Sequence, residues 1–277
     1  MWKWILRGLL IISFRPLCAQ LPRGAEHFIA TVNSLSRVHN DAIAFTSNPS
    51  VLAGLKQGGF SILGERKFLM KEVPDYLLSA ALITSSVNAG IAVRQSGFKG
   101  YNETFMSLAS GRELADRLEA GAEIHFVMIS MDGYGKIFVP GFGIGLRFQP
   151  TEKLIVGINA RDPVSRTYGK SKDEKLPYQY RFGVGFEPSH ELLLGFDLVK
   201  EATRPVLATA TIQYLPQKNL ILRGGMSLFN QTFSMGAGWS HLINKTVLVI
   251  MVSGSWHFQL GLSPSLQLSL QFPGKTS

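Results

Sequence analysis

The chain has little of what marks a soluble enzyme or a helical membrane protein. One cysteine occurs in 277 residues, which excludes a disulfide framework and cysteine-based metal sites. Charged residues are 17% of the chain, which is low for a soluble domain. However, the richest apolar stretch of the mature region, residues 76–93, is interrupted by Ser79, Thr84 and Asn88, so it is too polar for a transmembrane helix. Apolar strands are the remaining way to account for the low charge.

Catalytic signatures are also missing. Gly261-Leu262-Ser263-Pro264-Ser265 lacks the final glycine of a nucleophile elbow, and His190-Glu191 is followed by leucines rather than by a second histidine. The net charge of +9 falls to +6 without Lys3, Arg7 and Arg15, and no basic run with interleaved aromatics occurs. We therefore predict a protein that is not an enzyme, with no cofactor, no metal and no nucleic-acid partner.

Residues 1–19 have the pattern of an export signal. Lys3 and Arg7 form its positive end, the segment 8–14 its apolar core, and Ala19 a small residue for cleavage. Leu17 is atypical at such a site, which leaves the cleavage position open. Cleavage after Ala19 would remove Cys18, and a cysteine-free mature chain suits an oxidising periplasm.

The C-terminal segment 256–272 alternates strictly, with nine apolar even positions: Trp256, Phe258, Leu260, Leu262, Pro264, Leu266, Leu268, Leu270 and Phe272. The odd positions are Ser, Gln, Gly and one His, without any charge. Alternation predicts a strand with two unlike faces. A soluble sandwich strand would usually carry Lys or Glu on its polar face. The uncharged polar face and the terminal aromatic instead favour the last strand of an outer-membrane β-barrel.

From residue 56 to residue 272 the pattern predicts an all-β domain, an antiparallel up-and-down transmembrane barrel, and residues 273–277 a short tail. We expect about fourteen strands, and an even number is typical of bacterial barrels. Their predicted ranges are 57–69, 76–86, 89–98, 103–111, 116–130, 136–149, 153–161, 178–187, 191–200, 204–215, 219–229, 231–241, 246–262 and 265–272.

A hairpin signature occurs three times. Its pattern is aromatic-x-Pro-x-x-x-Leu, and it begins at Phe148, Phe186 and Tyr214. Proline presets the φ of a turn and cannot sit inside the ladder. In up-and-down order these turns share one end of the barrel with Phe272, which predicts an aromatic girdle on the periplasmic side. The longest opposite connection is 162–177, so no large external lid is expected.

Residues 20–55 show no sustained strand period. Asn48 is a suitable N-cap, Pro49 suits the first helical position, and Gly54 would end a short helix. We predict a plug inside a barrel too wide to fill its own lumen. A surface helix before the first strand is the alternative.

Charged residues with inward parity form the one constellation of interest: Arg94, Glu119, Glu123, His125, Arg147, Arg161, Arg181 and Arg223. The first interpretation is a network that holds the plug by charge-assisted hydrogen bonds. The second is a path for anionic or amphipathic solutes. Glu123 and His125 could act as acid and base, but no positioned nucleophile accompanies them.

Several motifs resemble one family of barrels. They are Asn48-Pro49 after the segment 41–45 beginning with Asp41, Leu52-Ala53, Gly97 with Tyr101-Asn102-Glu103, Pro177 with Arg181-Phe182-Gly183, and Gly261-Leu262-Ser263-Pro264. Together they resemble the PorV/PorQ branch, of Bacteroidetes type, of the fatty-acid-transporter-like (FadL-like) outer-membrane proteins. The chain departs from that pattern at Ser50, where alanine is usual, and at Asp162-Pro163, where Asn-Pro is usual.

The resemblance implies a fourteen-stranded barrel with an N-terminal segment in its mouth, in the outer membrane of a Gram-negative cell. Its members serve type IX secretion and surface attachment, or take up hydrophobic solutes. We therefore expect a non-enzymatic scaffold or accessory of secretion whose partners are outer-membrane lipid and secretion proteins. The alternative is a transporter of hydrophobic small molecules such as fatty acids or aromatics.

Overall fold

A computed structural model describes residues 25–84, 86–133, 135–164, 167–168, 174–175, 177–202, 204–228 and 231–273. The predicted signal segment 1–19 lies outside these residues, as do the first residues of the predicted plug and positions 274–277 of the tail. The strands in chain order are β1 (Gln57–Arg66), β2 (Pro74–Leu82), β3 (Asn88–Phe98), β4 (Tyr101–Ala115), β5 (Leu118–Met131), β6 (Gly135–Thr151), β7 (Leu154–Arg161), β8 (Thr167–Tyr168), β9 (Glu174–Lys175), β10 (Gln179–Ser189), β11 (Leu192–Glu201), β12 (Leu207–Gln217), β13 (Leu220–Ser227), β14 (Thr232–Ile243), β15 (Thr246–His257) and β16 (Gly261–Pro273).

Fourteen of these strands close into one antiparallel barrel, which confirms the predicted fold. Each strand pairs with its neighbour in sequence, β7 pairs with β10, and β1 closes the ring against β16. The short strands β8 and β9 form a separate two-stranded ribbon in the connection between β7 and β10, where the sequence predicted only a loop.

The prediction of one long strand through Trp256 is wrong. β15 ends at His257, β16 begins at Gly261, and Trp256 pairs with Leu262 across the hairpin. In this register, paired residues on the two strands have the same parity, so the apolar alternation continues unbroken through the turn. Pro264, predicted between two strands, instead lies inside β16 opposite Gly254.

The two faces of the wall follow the predicted parity. On β16 the side chain of Gln267 is 2% exposed, whereas Leu266 and Leu268 on either side are 48% and 39% exposed. Phe148, Phe186, Tyr214 and Phe272 all have exposed side chains on the outer face. We call the end of the barrel with the turns after Pro150, Pro188 and Pro216 the proline end, and the opposite end the loop end.

The lumen is occupied by the described part of the N-terminal segment, here called the plug (residues 25–55). It comprises α1 (Ala25–Ser34), a 3₁₀ turn (Ala44–Thr46) and α2 (Val51–Gly54). Its apolar side chains form a core with inward residues of the wall: Phe28, Ile29, Val32, Ala42, Ile43, Ala44, Phe45, Val51, Leu52 and Leu55 pack with Leu63, Leu77, Ala81, Ala92, Ala109 and Leu193. The lumen therefore holds an apolar core rather than water, because the plug supplies apolar side chains that are buried against the wall.

None of the described helices has both the length and the apolar character needed to cross a bilayer.

Candidate functional site: the plug anchors and the cup above them

The Asn48-Pro49 turn is the central contact between plug and wall. The Asn48 Nδ2 donates to the carbonyls of Leu146 on β6 and Ile158 on β7, at 3.3 and 3.2 Å. Its Oδ1 accepts from the backbone N–H and the hydroxyl of Ser50, at 3.1 and 2.7 Å. Ser50, not Asn48, is the N-cap of α2. Ser50 makes no side-chain cap bond, however, and the Asn48 Oδ1 that accepts from its N–H supplies the capping bond predicted for Asn48, while the Nδ2 of the same amide joins the turn to the wall.

Glycines in the wall make room for this turn. A Cβ at Gly121 would collide with the backbone of Pro49 and Ser50, and one at Gly145 with the Asn48 side chain. Gly121 of β5 and Gly145 of β6 thus let the turn lie directly on the strands, which is the close approach that glycine permits.

Four of the predicted inward arginines donate hydrogen bonds to the plug. Arg147 Nη1 donates to the carbonyls of Ser34 and Ser36 at 3.4 and 3.3 Å, just beyond the C-terminal end of α1. Arg161 Nη2 donates to the Thr46 carbonyl at 2.8 Å.

The other two bind nearby. Arg181 Nη1 donates to the carbonyl of Ser47 at 3.2 Å and also to its hydroxyl. Arg223 Nη2 donates to the Asn33 Oδ1 at 2.5 Å. All four guanidinium groups therefore bridge a strand and the plug with charge-assisted donors, which are stronger than neutral ones.

Carboxylates of the wall neutralise three of these arginines, and the Nε of the fourth, Arg223, donates to Gln213 Oε1. Arg147 Nε lies 2.5 Å from Glu119 Oε2, and Arg161 Nε lies 2.5 Å from Glu123 Oε1. Arg181 Nε lies 3.4 Å from Asp197 Oδ1. Burying a charge is tolerated when it is paired and hydrogen-bonded, and the carbonyls of the plug complete that requirement.

Three further predicted residues, His125, Asp41 and Arg94, each bind a different partner. His125 Nε2 is 2.9 Å from Asp162 Oδ2, and Asp162 Oδ1 accepts from the backbone N–H of Phe142 at 3.2 Å. Asp41 accepts from the backbone N–H of Ile43 at 3.1 Å and from Gln267 Nε2 at 2.8 Å. Arg94 is the one predicted inward arginine described away from the plug, and it forms a bidentate pair with Asp75.

Sequence reasoning missed two anchors near the proline end. The Glu187 carboxylate accepts from the Ser36 hydroxyl at 2.6 Å and from the backbone N–H of Arg37 at 3.1 Å. Asn88 Nδ2 donates to the Leu52 carbonyl at 2.7 Å. The sequence contained a signal for the inward position of Glu187, because Glu187 has the same parity as Arg181, Gly183 and Gly185 on β10.

Above the plug, toward the loop end, lies an open cavity of about 460 Å³, which we call the cup. Thr46 of the plug lines it, as do Arg161, His125 and Asp162. Its apolar lining consists of Leu77, Ala92, Phe105, Val127 and Ile129. The Phe105 ring lies 5.0 Å from the His125 ring and 5.2 Å from the guanidinium carbon of Arg161. The volume is within the range of small-molecule sites.

No group of three or more His, Cys, Asp or Glu side chains in the described ranges is arranged to hold a metal ion.

No family model and no curated sequence matches the chain. Its fold is similar to solved structures of FadL-type outer-membrane channels. The Pseudomonas putida toluene transporter TodX aligns with a TM-score of 0.62 at 11% identity, over 91% of this chain and 97% of that one. The Ralstonia pickettii toluene transporter TbuX aligns with a TM-score of 0.59 at 10% identity, over 83% and 92%. A Pseudomonas aeruginosa FadL homologue aligns with a TM-score of 0.58 at 11% identity, over 88% and 96%.

Proposed function

We propose that this chain is a non-enzymatic outer-membrane barrel that binds small, largely apolar molecules in the cup and admits them to the cell. This is the alternative derived from the sequence, and it takes precedence over the secretion role. The neighbours in fold include proteins described as toluene transporters, but at such low identity they support the fold only. For this chain, the shape and lining of the cup support transport of a small molecule.

The single observation that carries the proposal is an apolar patch on one side of the cup, whose remaining lining is largely polar and includes Arg94, His125 and Glu201. Leu77, Ala92, Phe105, Val127 and Ile129 line the cup from four neighbouring strands, β2 to β5. Apolar surface that faces a cavity favours an apolar occupant, because burying it from water is worth about 25 cal/mol per Å². The cup is therefore suited to a ligand of roughly the size of a substituted benzene ring.

The charges of the cup favour a neutral ligand over an anion. Arg94 is paired with Asp75, Arg161 with Glu123, and Arg204 Nη1 lies 3.4 Å from Glu201 Oε2. These guanidinium groups are already compensated, so they offer little net attraction to a carboxylate. A single hydroxyl or carbonyl on the ligand could still hydrogen-bond at the polar floor.

The plug lies between the cup and the proline end, which we assign to the periplasm from the aromatic girdle and the proline turns. Uptake through the lumen therefore needs the plug to shift. The plug anchors described above set the free energy of that shift.

Ligand-observed NMR on the full-length protein in detergent tests the proposal, with p-cresol as the neutral ligand and benzoate as its anionic counterpart. We expect saturable binding of p-cresol and weaker binding of benzoate. Val127→Trp should fill the cup and abolish binding. The matched control is Val252→Trp, because Val252 is exposed on the outer face of β15. Absence of p-cresol binding, or equal binding in both tryptophan variants, would reject the cup as the site.

A role in type IX secretion or surface attachment is a second proposal. The observation in its favour is the dense packing of the plug, since a barrel that passes no solute has no need of a mobile lumen. None of the three structures named above is described as a secretion component. A stoichiometric protein partner in native mass spectrometry of the gently extracted barrel, without p-cresol binding, would favour this role.

A further inference from the structure

A second concave site lies on the outer surface of the barrel. It is a groove of about 390 Å³ at the loop end, and its lining includes Lys71, Glu72, Tyr76, Gln95, Phe98 and Lys99. We call it the rim groove. Tyr76 and Gln95 are paired across β2 and β3, and their neighbours Leu77 and Arg94 both line the cup. Since alternate residues face opposite sides, Tyr76 and Gln95 face outward.

The rim groove lies where the outer face changes from apolar to charged. One step below it along the strands, the outward side chains are Leu78 and Ile91, which are 43% and 53% exposed. Above it are Lys71 in the connection between β1 and β2, and Lys99 in the turn between β3 and β4. Aromatic side chains and lysines at such a boundary are typical of the membrane interface.

The turn that carries Lys99 has a restricted backbone. Gly97 has a φ of +148° and Gly100 a φ of +97°, and a Cβ at Gly97 would collide with the Tyr101 carbonyl. Residues other than glycine rarely adopt these backbone conformations. The glycines therefore keep the hairpin short, so Lys99 lies in the tight turn directly after Phe98 and lines the same groove as Tyr76.

The lysines of the rim groove are not committed to other charges. Lys67, nearby in the chain, lies 3.0 Å from Asp75. By contrast, neither Lys71 nor Lys99 forms a salt bridge with any residue that the structure describes. Glu72 is the single acidic residue among those that line the groove, so the groove has a net charge of +1.

We propose that the rim groove binds the phosphate group of a lipid in the outer leaflet. Lys71 and Lys99 hold the phosphate, Tyr76 covers the headgroup, and the acyl chains lie on Leu78 and Ile91. Lysine binds phosphate as a point charge, and each lysine near a membrane surface adds to the attraction for anionic lipid. The proposal rests on the proposed outer-membrane location, but not on the function of the cup.

The test uses the full-length barrel reconstituted in phosphatidylcholine nanodiscs that contain a trace of diphosphorylated lipid A. The barrel is then released gently from the nanodiscs, and native mass spectrometry measures the fraction that retains lipid A. We expect the wild type to retain diphosphorylated lipid A. In a separate sample, a dephosphorylated lipid A supplied in its place should not be retained. Lys71→Gln with Lys99→Gln should lower the retained fraction roughly tenfold or more. Glu72→Gln should raise it.

The matched control is Lys136→Gln with Lys200→Gln, two lysines at the loop end outside the rim groove. Equal loss in the two double variants would mean general surface attraction and would overturn the proposal, as would equal retention of the dephosphorylated lipid. Displacement by millimolar inorganic phosphate would point to a site for free anions instead. The p-cresol assay on Lys71→Gln with Lys99→Gln separates the two proposals, because cup binding should be unchanged.

Discussion

The plug is held differently along its length. In residues 41–55 the buried polar side chains each have a partner: Asp41 binds Gln267, Thr46 donates to the Ile43 carbonyl, Ser47 accepts from Arg181, and Asn48 and Ser50 bind each other. In α1, by contrast, the Thr31 hydroxyl and the Asn33 Nδ2 have no hydrogen-bond partner among the described residues. The wall hydroxyl of Thr209 on β12, the strand that α1 contacts, has none there either.

This difference separates a fixed part of the plug from a part that is less well satisfied. A buried polar group without a partner costs free energy, roughly 1–3 kcal/mol. The 41–55 segment is therefore held firmly against the wall. The part of the plug whose displacement costs least is α1 before Asn33 and Ser34, the residues that Arg223 and Arg147 bind. If a solute passes the plug, we expect the opening beside β12 and β15.

The largest effect is expected for Arg147→Ala. It removes the donors to Ser34 and Ser36 and leaves Glu119 buried without its cation, which costs about 3–5 kcal/mol. In SDS gels, the band of the folded barrel should disappear at a lower temperature for the variant than for the wild type, and this shift measures the loss of stability. Arg112→Ala is the control, because Arg112 is exposed on β4. Equal stability of the two variants would mean that Arg147 does not hold the plug.

Gly121→Val tests the close contact of the fixed part. The new side chain would collide with the Pro49 and Ser50 backbone, and overpacking of this kind typically costs about 1–3 kcal/mol. The thermal midpoint in detergent should fall. Gly224→Val places the same side chain against Ile212 on the outer face, so it should change the midpoint much less. A similar fall in both would indicate a strand effect rather than a plug effect.

Asn48→Ala should lower stability by roughly 1–2 kcal/mol, because neutral hydrogen bonds contribute about 0.5–1.5 kcal/mol each. Thr209→Val should leave stability unchanged or raise it, since it replaces an unpartnered hydroxyl by a methyl group of the same shape. Chemical denaturation in detergent measures both. If Thr209→Val were as destabilising as Asn48→Ala, the distinction between the two parts of the plug would be wrong.

The smallest effect concerns pH. His39 lies at the proline end, where its Nε2 is 2.9 Å from the His190 carbonyl. Burial lowers the pKa of His39 below 6.5, against opposing contributions from the His190 carbonyl and Glu187. The folded state thus favours neutral His39, so this contribution to stability is present above pH 6.5 and is lost as the pH falls below it.

Protease accessibility of the plug should therefore rise between pH 7 and pH 5, and His39→Gln should weaken that dependence. An unchanged dependence in the variant would mean that His39 is not the group responsible.

Local periodicity was enough to determine the barrel. The alternation of Leu266, Gln267 and Leu268 and the aromatic-Pro turns encode the strand count and the two faces, because a period of two is a property of each strand alone. The same parity located Arg147, Arg161, Arg181 and Arg223 on the inner face. It could not detect the turn after His257, since the register preserves alternation through the hairpin.

Only the tertiary structure decided what the inward residues contact. The carbonyls of Ser34 and Thr46, which accept from arginines on β6 and β7, carry no signal in a sequence, because every residue has such a carbonyl. The cup likewise depends on closure of the ring, which brings β2 to β5 opposite Gln179, Glu201 and Arg204. The rim groove depends on the pairing of consecutive strands β2 to β4 and on the turns beside them. The sequence thus determined the wall and its faces, and the three-dimensional packing decided the partners and the sites.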